Sequence, residues 1–241
     1  MSLEIKELSY SIKKKRILSN VSLQAMDGEF LSIVGKSGTG KSTILKLAAG
    51  LLTPDHGSIT IQETATSLGA AGFMPQKDLL MPWRTVFDNL LLAAEIQKKK
   101  QQKRQEAEMW LQRVGLFEYR DAYPHELSGG MRQRVAFLRT ILTGKEVLLL
   151  DEPFGALDAM TKKEMHTWIS SLWQELNKTI VLVTHDLFEA VFLSDRVMVL
   201  HENGTMDEVK IDVPRPRSKQ MTPEIAELMN TLESMITHEE N

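Results

Sequence analysis

Apolar residues fall along this chain in short blocks whose spacing switches between two and three-to-four. Leu3–Tyr10 alternates apolar and polar positions, as does Val21–Ala25, and Gly28 separates the latter from Phe30–Val34. The alternation predicts short, partly antiparallel strands, whereas Phe30–Val34, mostly apolar, predicts a buried strand that runs into glycines. Lys41–Leu52 has helical spacing, with Ile44, Leu45, Leu47, Ala48 and Leu51 on one side, and Thr53-Pro54-Asp55-His56-Gly57 stops it. Ser58–Gln62 predicts another strand and Gly72–Pro75 the end of one. From Val86 to about Leu142 the character is helical, charged and Gln-rich. Val147–Leu150 is a continuous apolar run, the mark of a central strand. Thr161–Leu176 predicts helix, Thr179–Thr184 strand, Leu187–Leu193 helix and Arg196–His201 strand. Beyond Pro214 and Pro216, Thr222-Pro223-Glu224 is a helix start, and Ile225, Leu228, Met229, Leu232 and Ile236 form one stripe that packs on its own domain.

Strand and helix therefore alternate, which predicts an α/β fold: a mainly parallel core sheet, an N-terminal antiparallel β part and an inserted helical sub-domain. The expected domain spans 1–213, with the helical sub-domain at about 77–142, and 214–241 form a short helical tail. A length of 241 residues suffices for one large domain with a sub-domain. The formal net charge of −3 excludes a nucleic-acid binder that relies on a basic face. The run Lys98–Arg104 reads as a solvated helix face, because Glu106 and Glu108 follow at once. Absence of cysteine excludes disulfides and thiolate metal sites. The first residues show no secretory signal. Leu182–Leu200 comes nearest to a membrane span, but His185, Asp186, Glu189, Asp195 and Arg196 interrupt it. The expectation is a soluble, cytoplasmic chain whose membrane link runs through a partner.

Gly35-Lys36-Ser37-Gly38-Thr39-Gly40-Lys41-Ser42, followed by Thr43, fits Gly-x-x-x-x-Gly-Lys-[Ser/Thr] between a predicted strand and a predicted helix. Glycines there let successive N–H groups curl around phosphate oxygens. Lys41 would bridge the β- and γ-phosphates of a nucleoside triphosphate, and Ser42 would give its hydroxyl oxygen to Mg²⁺. Asp151 and Glu152 follow the apolar strand, at the edge where parallel sheets bind ligands. Asp151 can reach Mg²⁺ or its water shell, and Glu152 is free to polarise an attacking water. Further on, Ser128, Gly129 and Gly130 open the helical pattern Met131–Leu142, and small residues opening a helix make an anion site. With no second phosphate loop beside it, that site is expected to serve a nucleotide held by another copy of the chain.

With these parts in order, Leu3 to His201 resembles the nucleotide-binding subunit of an ABC transporter, a P-loop NTPase, and Leu127-Ser128-Gly129-Gly130-Met131-Arg132-Gln133-Arg134 is similar to that family's signature. The resemblance implies ATP and Mg²⁺ as ligands and a head-to-tail pair of chains with two ATP molecules between them. It implies that Gln76 is the glutamine that contacts Mg²⁺ and the catalytic water and senses the membrane partner. Asp158, in Gly155-Ala156-Leu157-Asp158, would contact the opposing subunit's phosphate loop. His185 would contact the γ-phosphate, and Tyr10 would stack on adenine. Met74-Pro75-Gln76-Lys77-Asp78-Leu79-Leu80-Met81-Pro82-Trp83-Arg84-Thr85-Val86, then Asp88-Asn89, resembles importers of nitrate, sulfonate and taurine, and Val213-Pro214-Arg215-Pro216-Arg217 is similar to that group's ending. ATPases for pyrimidine precursors of thiamine share this likeness. The implied partners are a membrane permease, which Leu79, Leu80, Met81 and Trp83 could receive, and an extracytoplasmic solute-binding protein, but no nucleic acid. The competing reading is a soluble ABC ATPase acting on nucleic acid, the ribosome or an assembly complex. About forty residues follow His201, too few for a typical regulatory domain.

Overall fold

The computed structural model describes residues 2–217 and 220–237. In chain order, the first elements are β1 (Leu3–Ile12), β2 (Lys15–Ala25), β3 (Phe30–Val34), α1 (Lys41–Ala48), β4 (His56–Ile61), β5 (Thr64–Ala65) and β6 (Gly72–Met74). Helices α2 (Val86–Leu90), α3 (Leu92–Ile96), α4 (Lys100–Arg113) and α5 (Gly129–Ile141) follow. The chain continues through β7 (Val147–Asp151), α6 (Ala159–Leu176), β8 (Thr179–Val183), α7 (Leu187–Leu193), β9 (Arg196–Leu200), β10 (Met206–Lys210) and α8 (Pro223–Thr237).

Two units divide the chain. One holds the residues up to Phe73, Glu146–Glu152 and those from His166 on; the other holds Met74–Lys145 and Pro153–Met165. In the first unit an antiparallel sheet runs β2-β1-β4-β5, and the larger sheet runs β10-β9-β3-β8-β7-β6. Strand β3 pairs parallel with β8 and β9, β7 pairs parallel with β8, and β10 pairs antiparallel with β9 at one edge. Every residue of β3, β7 and β8 is buried, as expected of strands covered on both faces. Ile44, Leu45, Leu47 and Ala48 of α1 share one core with Leu3, Ile5 and Leu23 of the antiparallel sheet and Leu31, Leu149 and Val181 of the parallel one. The helix that follows the phosphate loop is thus held from both sides.

Boundaries moved where local chemistry overrides periodicity. α1 ends at Ala48, short of the predicted Leu52, because Gly50 takes φ 71° while its amide donates to the Leu47 carbonyl and that of Leu51 to the Lys46 carbonyl. This is a Schellman stop. In β1 the pairing shifts between Ile5 and Leu8, where Glu7 has φ 51°, so the inward positions change from odd to even numbers at a bulge. The helical stretch from Val86 breaks into four α-helices and two short 3-10 turns (Phe117–Tyr119 and Pro124–Glu126), with breaks at Lys98, φ 57°, and Gly115, φ 68°.

The apolar stripe of α8 closes a second core. Ile225 and Leu232 are fully buried with Val34, Ala190, Val191, Val197 and Val199, and Leu228, Met229 and Ile236 pack around them. Just before it, buried Arg217 donates to the carbonyls of Val191 (2.7 Å), Phe192 (3.1 Å) and Ser194 (2.6 Å) at the end of α7, and to Val213 (3.0 Å). Burial, reinforced by the charge of Arg215, lowers its pKa to about 10. One guanidinium thus satisfies the open carbonyls of a helix end and ties the strand-to-helix connection to it. Leu232→Ala should lower the stability of the chain by about 2–5 kcal/mol, seen as a lower urea midpoint at unchanged slope.

Candidate nucleotide-binding site

Strand β3 delivers the glycine loop to α1. A Cβ on Gly35 would lie 2.3 Å from the Leu200 carbonyl oxygen, and one on Gly40, with φ 102°, would lie 2.6 Å from Leu18. Both positions therefore require glycine. No side chain caps α1, which leaves the amides of its first turn for an anion. The Lys41 ammonium donates to the carbonyls of Gly35 (2.8 Å) and Lys36 (2.7 Å), and Thr39 donates to Lys36 (3.0 Å). Burial pushes the Lys41 pKa down against the opposing pull of Glu152 and Asp151. A cavity of about 530 Å³ opens here, lined by Ser37, Gly38, Gly40, Lys41, Ser42, Glu152 and His185.

The Ser42 hydroxyl donates to Asp151 Oδ1 at 2.7 Å. Burial raises the Asp151 pKa, and the Ser42 hydrogen bond works in the other direction. A hydroxyl and a carboxylate side by side are hard oxygen donors that suit Mg²⁺, which keeps several waters and takes its other ligands from phosphate. Among the described residues, no group of three His, Cys, Asp or Glu is placed to hold a metal ion. Because Asp151 pairs with Val183 in register, the next residues of the two strands emerge together. The Glu152 amide donates to the Val183 carbonyl at 2.9 Å, and His185 Nδ1 lies 3.6 Å from Glu152 Oε1. Glu152 has φ 45°, a strained conformation of the kind that gathers at functional sites.

The second unit carries Gln76, Ser128, Gly129, Gly130 and Asp158. Ser128 is the cap of α5, its oxygen accepting the Met131 amide at 3.3 Å, so the helix begins at Gly129 rather than Met131. A Cβ on Gly130 would lie 2.5 Å from the Thr161 methyl, a close approach that excludes larger residues. Gln76 is exposed and lines a cavity of about 510 Å³ with Lys77, Asp78, Gln133, Gly155 and Ala156. Asp158 caps α6, accepting from the Met160 amide (3.1 Å), the Thr161 amide (3.0 Å) and the Thr161 hydroxyl (2.6 Å). The Thr161 donors hold its carboxyl below the usual range.

The four apolar residues read together as a landing surface separate. Leu79 (59% exposed) and Trp83 (71% exposed) face solvent, Met81 is half-buried, and Leu80 belongs to the core of its unit. Three residues that sequence reasoning passed over shape this segment. Buried Asn89 accepts from the Met81 amide at 2.8 Å and donates to the carbonyls of Met81, Arg84 and Thr85. Arg139 donates to the carbonyls of Asp78 (2.6 Å) and Leu79 (2.8 Å), and Arg132 pairs with the Asp78 carboxylate at 3.2 Å. The only sequence signal for the arginines is their place on the helix that starts at the signature. Lys100 pairs with Asp88 (3.1 Å) and Lys103 with Glu106, so the basic run is an ion-paired helix face. Tyr10 sits on β1 opposite Leu18, half-buried against the first unit's core.

Known proteins decide the family. The ABC transporter family profile matches residues 18–155. The chain belongs to the ABC transporter family. It is 39% identical over 235 residues to the formylaminopyrimidine import ATP-binding protein of Halalkalibacterium halodurans, covering 97% of this chain and 90% of that one. It is 44% identical over 223 residues to the nitrate import ATP-binding protein of a Synechocystis strain, covering 89% and 84%. The ATP-binding cassette MJ0796, in a dimeric post-hydrolysis state bound to ADP and Pi, superposes with a TM-score of 0.75 at 29% identity, covering 88% of this chain and 99% of that one. The chain is thus an ATPase of the ABC family, with that family's mixed α/β fold. No helix among its described residues is long and apolar enough to cross a membrane.

The raised pKa of Asp151 has a testable sign. Between its ordinary value of 3.8 and its higher folded value, the native ABC ATPase binds more protons than the unfolded chain, so stability falls as pH rises through that window. Asp151→Asn removes the desolvated charge. Without nucleotide and with a chelator present, its melting midpoint should equal the parent's below the unfolded value and exceed it increasingly toward neutral pH, as thermal unfolding across a pH series will measure.

Proposed function

We propose that this chain is the ATP-hydrolysing subunit of an importer, working as a head-to-tail pair on the cytoplasmic face of a separate membrane permease. The observation that carries the reading is the pairing of Glu152 and His185, 3.6 Å apart, on the wall of the cavity built by the phosphate loop. Residues Gly35 to Thr43 bind the phosphates of ATP, and Lys41 leaves its two carbonyl partners for the β- and γ-phosphates. Ser42 and Asp151 would hold Mg²⁺, with Gln76 the glutamine that the family resemblance assigns to the same ion, and the ion would neutralise charge on the phosphates. Glu152 takes the proton of the attacking water, and His185 contacts the γ-phosphate. Tyr10 stacks on adenine.

Ser128, Gly129 and Gly130 of the second copy close over the γ-phosphate, and Asp158 faces the opposing phosphate loop. Two ATP molecules then bridge an isologous interface, which closes with ATP and opens when phosphate leaves. Exposed Leu79 and Trp83 receive a cytoplasmic segment of the permease, and an extracytoplasmic binding protein supplies the solute. Relatives whose names carry nitrate, aliphatic sulfonates and formylaminopyrimidine support a small solute of that kind, nitrate, sulfonate, taurine or a thiamine-precursor pyrimidine.

Glu152→Gln should keep ATP affinity, lower kcat by about a hundredfold or more, and accumulate an ATP-bound dimer in light scattering. Hydrolysis at the parent rate would overturn the assignment of the base. Affinity capture from detergent-solubilised membranes should recover an integral-membrane partner, and its absence would sink the importer reading.

A further inference from the structure

Behind His185 lies a buried polar chain that the nucleotide chemistry does not itself use. Thr184, 1% exposed, directly follows β8, and its amide donates to the Ile33 carbonyl of the neighbouring strand at 3.3 Å. Its hydroxyl donates to Glu189 Oε2 at 2.5 Å and accepts the Asp186 amide at 3.0 Å. Glu189, 2% exposed, stands in the first turn of α7, where the Asp186 carboxylate caps the amides of Phe188 (3.0 Å) and Glu189 (3.2 Å). The other carboxylate oxygen of Glu189 lies 3.4 Å from His166 Nε2, and His166 is itself 3% exposed against Phe188 and Phe192.

The bonding order matters. A hydroxyl has one proton, and here it goes to the carboxylate, so the oxygen's lone pairs are left for the Asp186 amide. Residue 185 is thereby bracketed: the backbone before it is anchored to the central sheet, and the backbone after it is anchored to the Thr184 side chain. The imidazole between them projects from a turn with both shoulders fixed. A buried carboxylate is costly unless satisfied, and the Thr184 hydroxyl supplies a hydrogen bond to one oxygen of Glu189.

We infer that Glu189, acting through the Thr184 hydroxyl, is a positioning residue that sets the His185 imidazole for the γ-phosphate. The inference rests on the reading of His185 given above. Misplacing a reacting group by about 1 Å can cost on the order of a hundredfold in rate, whereas nucleotide affinity resides in the glycine loop. Loss of the hydroxyl therefore strikes kcat and spares KM.

Steady-state ATPase assays on the full chain with Mg-ATP test this with Thr184→Val, Thr184→Ser, His185→Ala and the double variant Thr184→Val/His185→Ala. Thr184→Val should lower kcat by about tenfold to a hundredfold with KM within about twofold. Thr184→Ser, which keeps the hydroxyl, should restore most of the rate, and the valine should cost nothing further once His185 is gone. Parent kcat in Thr184→Val, equal impairment by serine and valine, or a further loss on adding Thr184→Val to a His185→Ala protein that is impaired but still measurable would each overturn the inference. A His185→Ala protein as active as the parent would instead remove the role of His185, and this inference with it. Hydrogen exchange on the parent gives a second measurement that depends on no variant folding: the Asp186 amide should exchange as slowly as the core strands, and exchange at exposed-loop rates would overturn the bracket.

Discussion

Full burial of three parallel strands is the constraint on which the site depends. Phe30–Val34, Val147–Asp151 and Thr179–Val183 expose nothing on either face, so their polar neighbours can sit only beyond the strand ends. Where a polar side chain enters the middle of a strand, at Ser32, it is matched by Ser194 across 2.5 Å. All three strands run the same way, and their carboxyl ends therefore deliver Gly35, Glu152 and His185 to one edge without any dedicated packing between those residues. Register then does the rest: pairing of Asp151 with Val183 sets how far each strand reaches. A one-residue slip would carry Glu152 away from His185 and leave the Glu152 amide without the Val183 carbonyl.

That edge is assembled against its own stability. Asp151 is desolvated, Glu152 stands at positive φ, and the Lys41 ammonium is buried and satisfied only by two loop carbonyls. Each feature disfavours the protein alone. The core beneath absorbs the cost: α1 is packed from two sheets, so the loop ahead of it cannot relax by moving the helix. A site of this kind is held in readiness by apolar packing rather than by its own contacts.

What was legible in the sequence follows the same division. Phe30–Val34 and Leu187–Leu193 were found to the residue, because a buried apolar run and a capped amphipathic turn carry strong local signals. The edge strand Met206–Lys210 was missed: its residues are mostly exposed and charged, so pairing with β9 alone makes it a strand. The bulge at Glu7 hid in an alternation that looks continuous, since a slip of one position leaves the apolar count unchanged. Among candidate site residues, the phosphate loop and the acidic pair could be read from type and spacing. Thr184, Glu189, Asn89, Arg139 and Arg217 could not, because each works through a hydrogen bond to a partner that periodicity does not register.

The arginines of α5 give the second unit a similar internal logic. Arg132 and Arg139 stand on the helix that Ser128, Gly129 and Gly130 open, and both grip the segment at Asp78 and Leu79. Asn89 holds the next five residues from within, which leaves Trp83 displayed on a loop with satisfied backbone. Charge-assisted bonds to backbone carbonyls are short and directional, so this segment and the helix transmit displacement as one piece. Arg132 and Arg139 thus link the Asp78–Leu79 segment directly to the helix that Ser128, Gly129 and Gly130 open, through these few bonds rather than a longer chain of contacts.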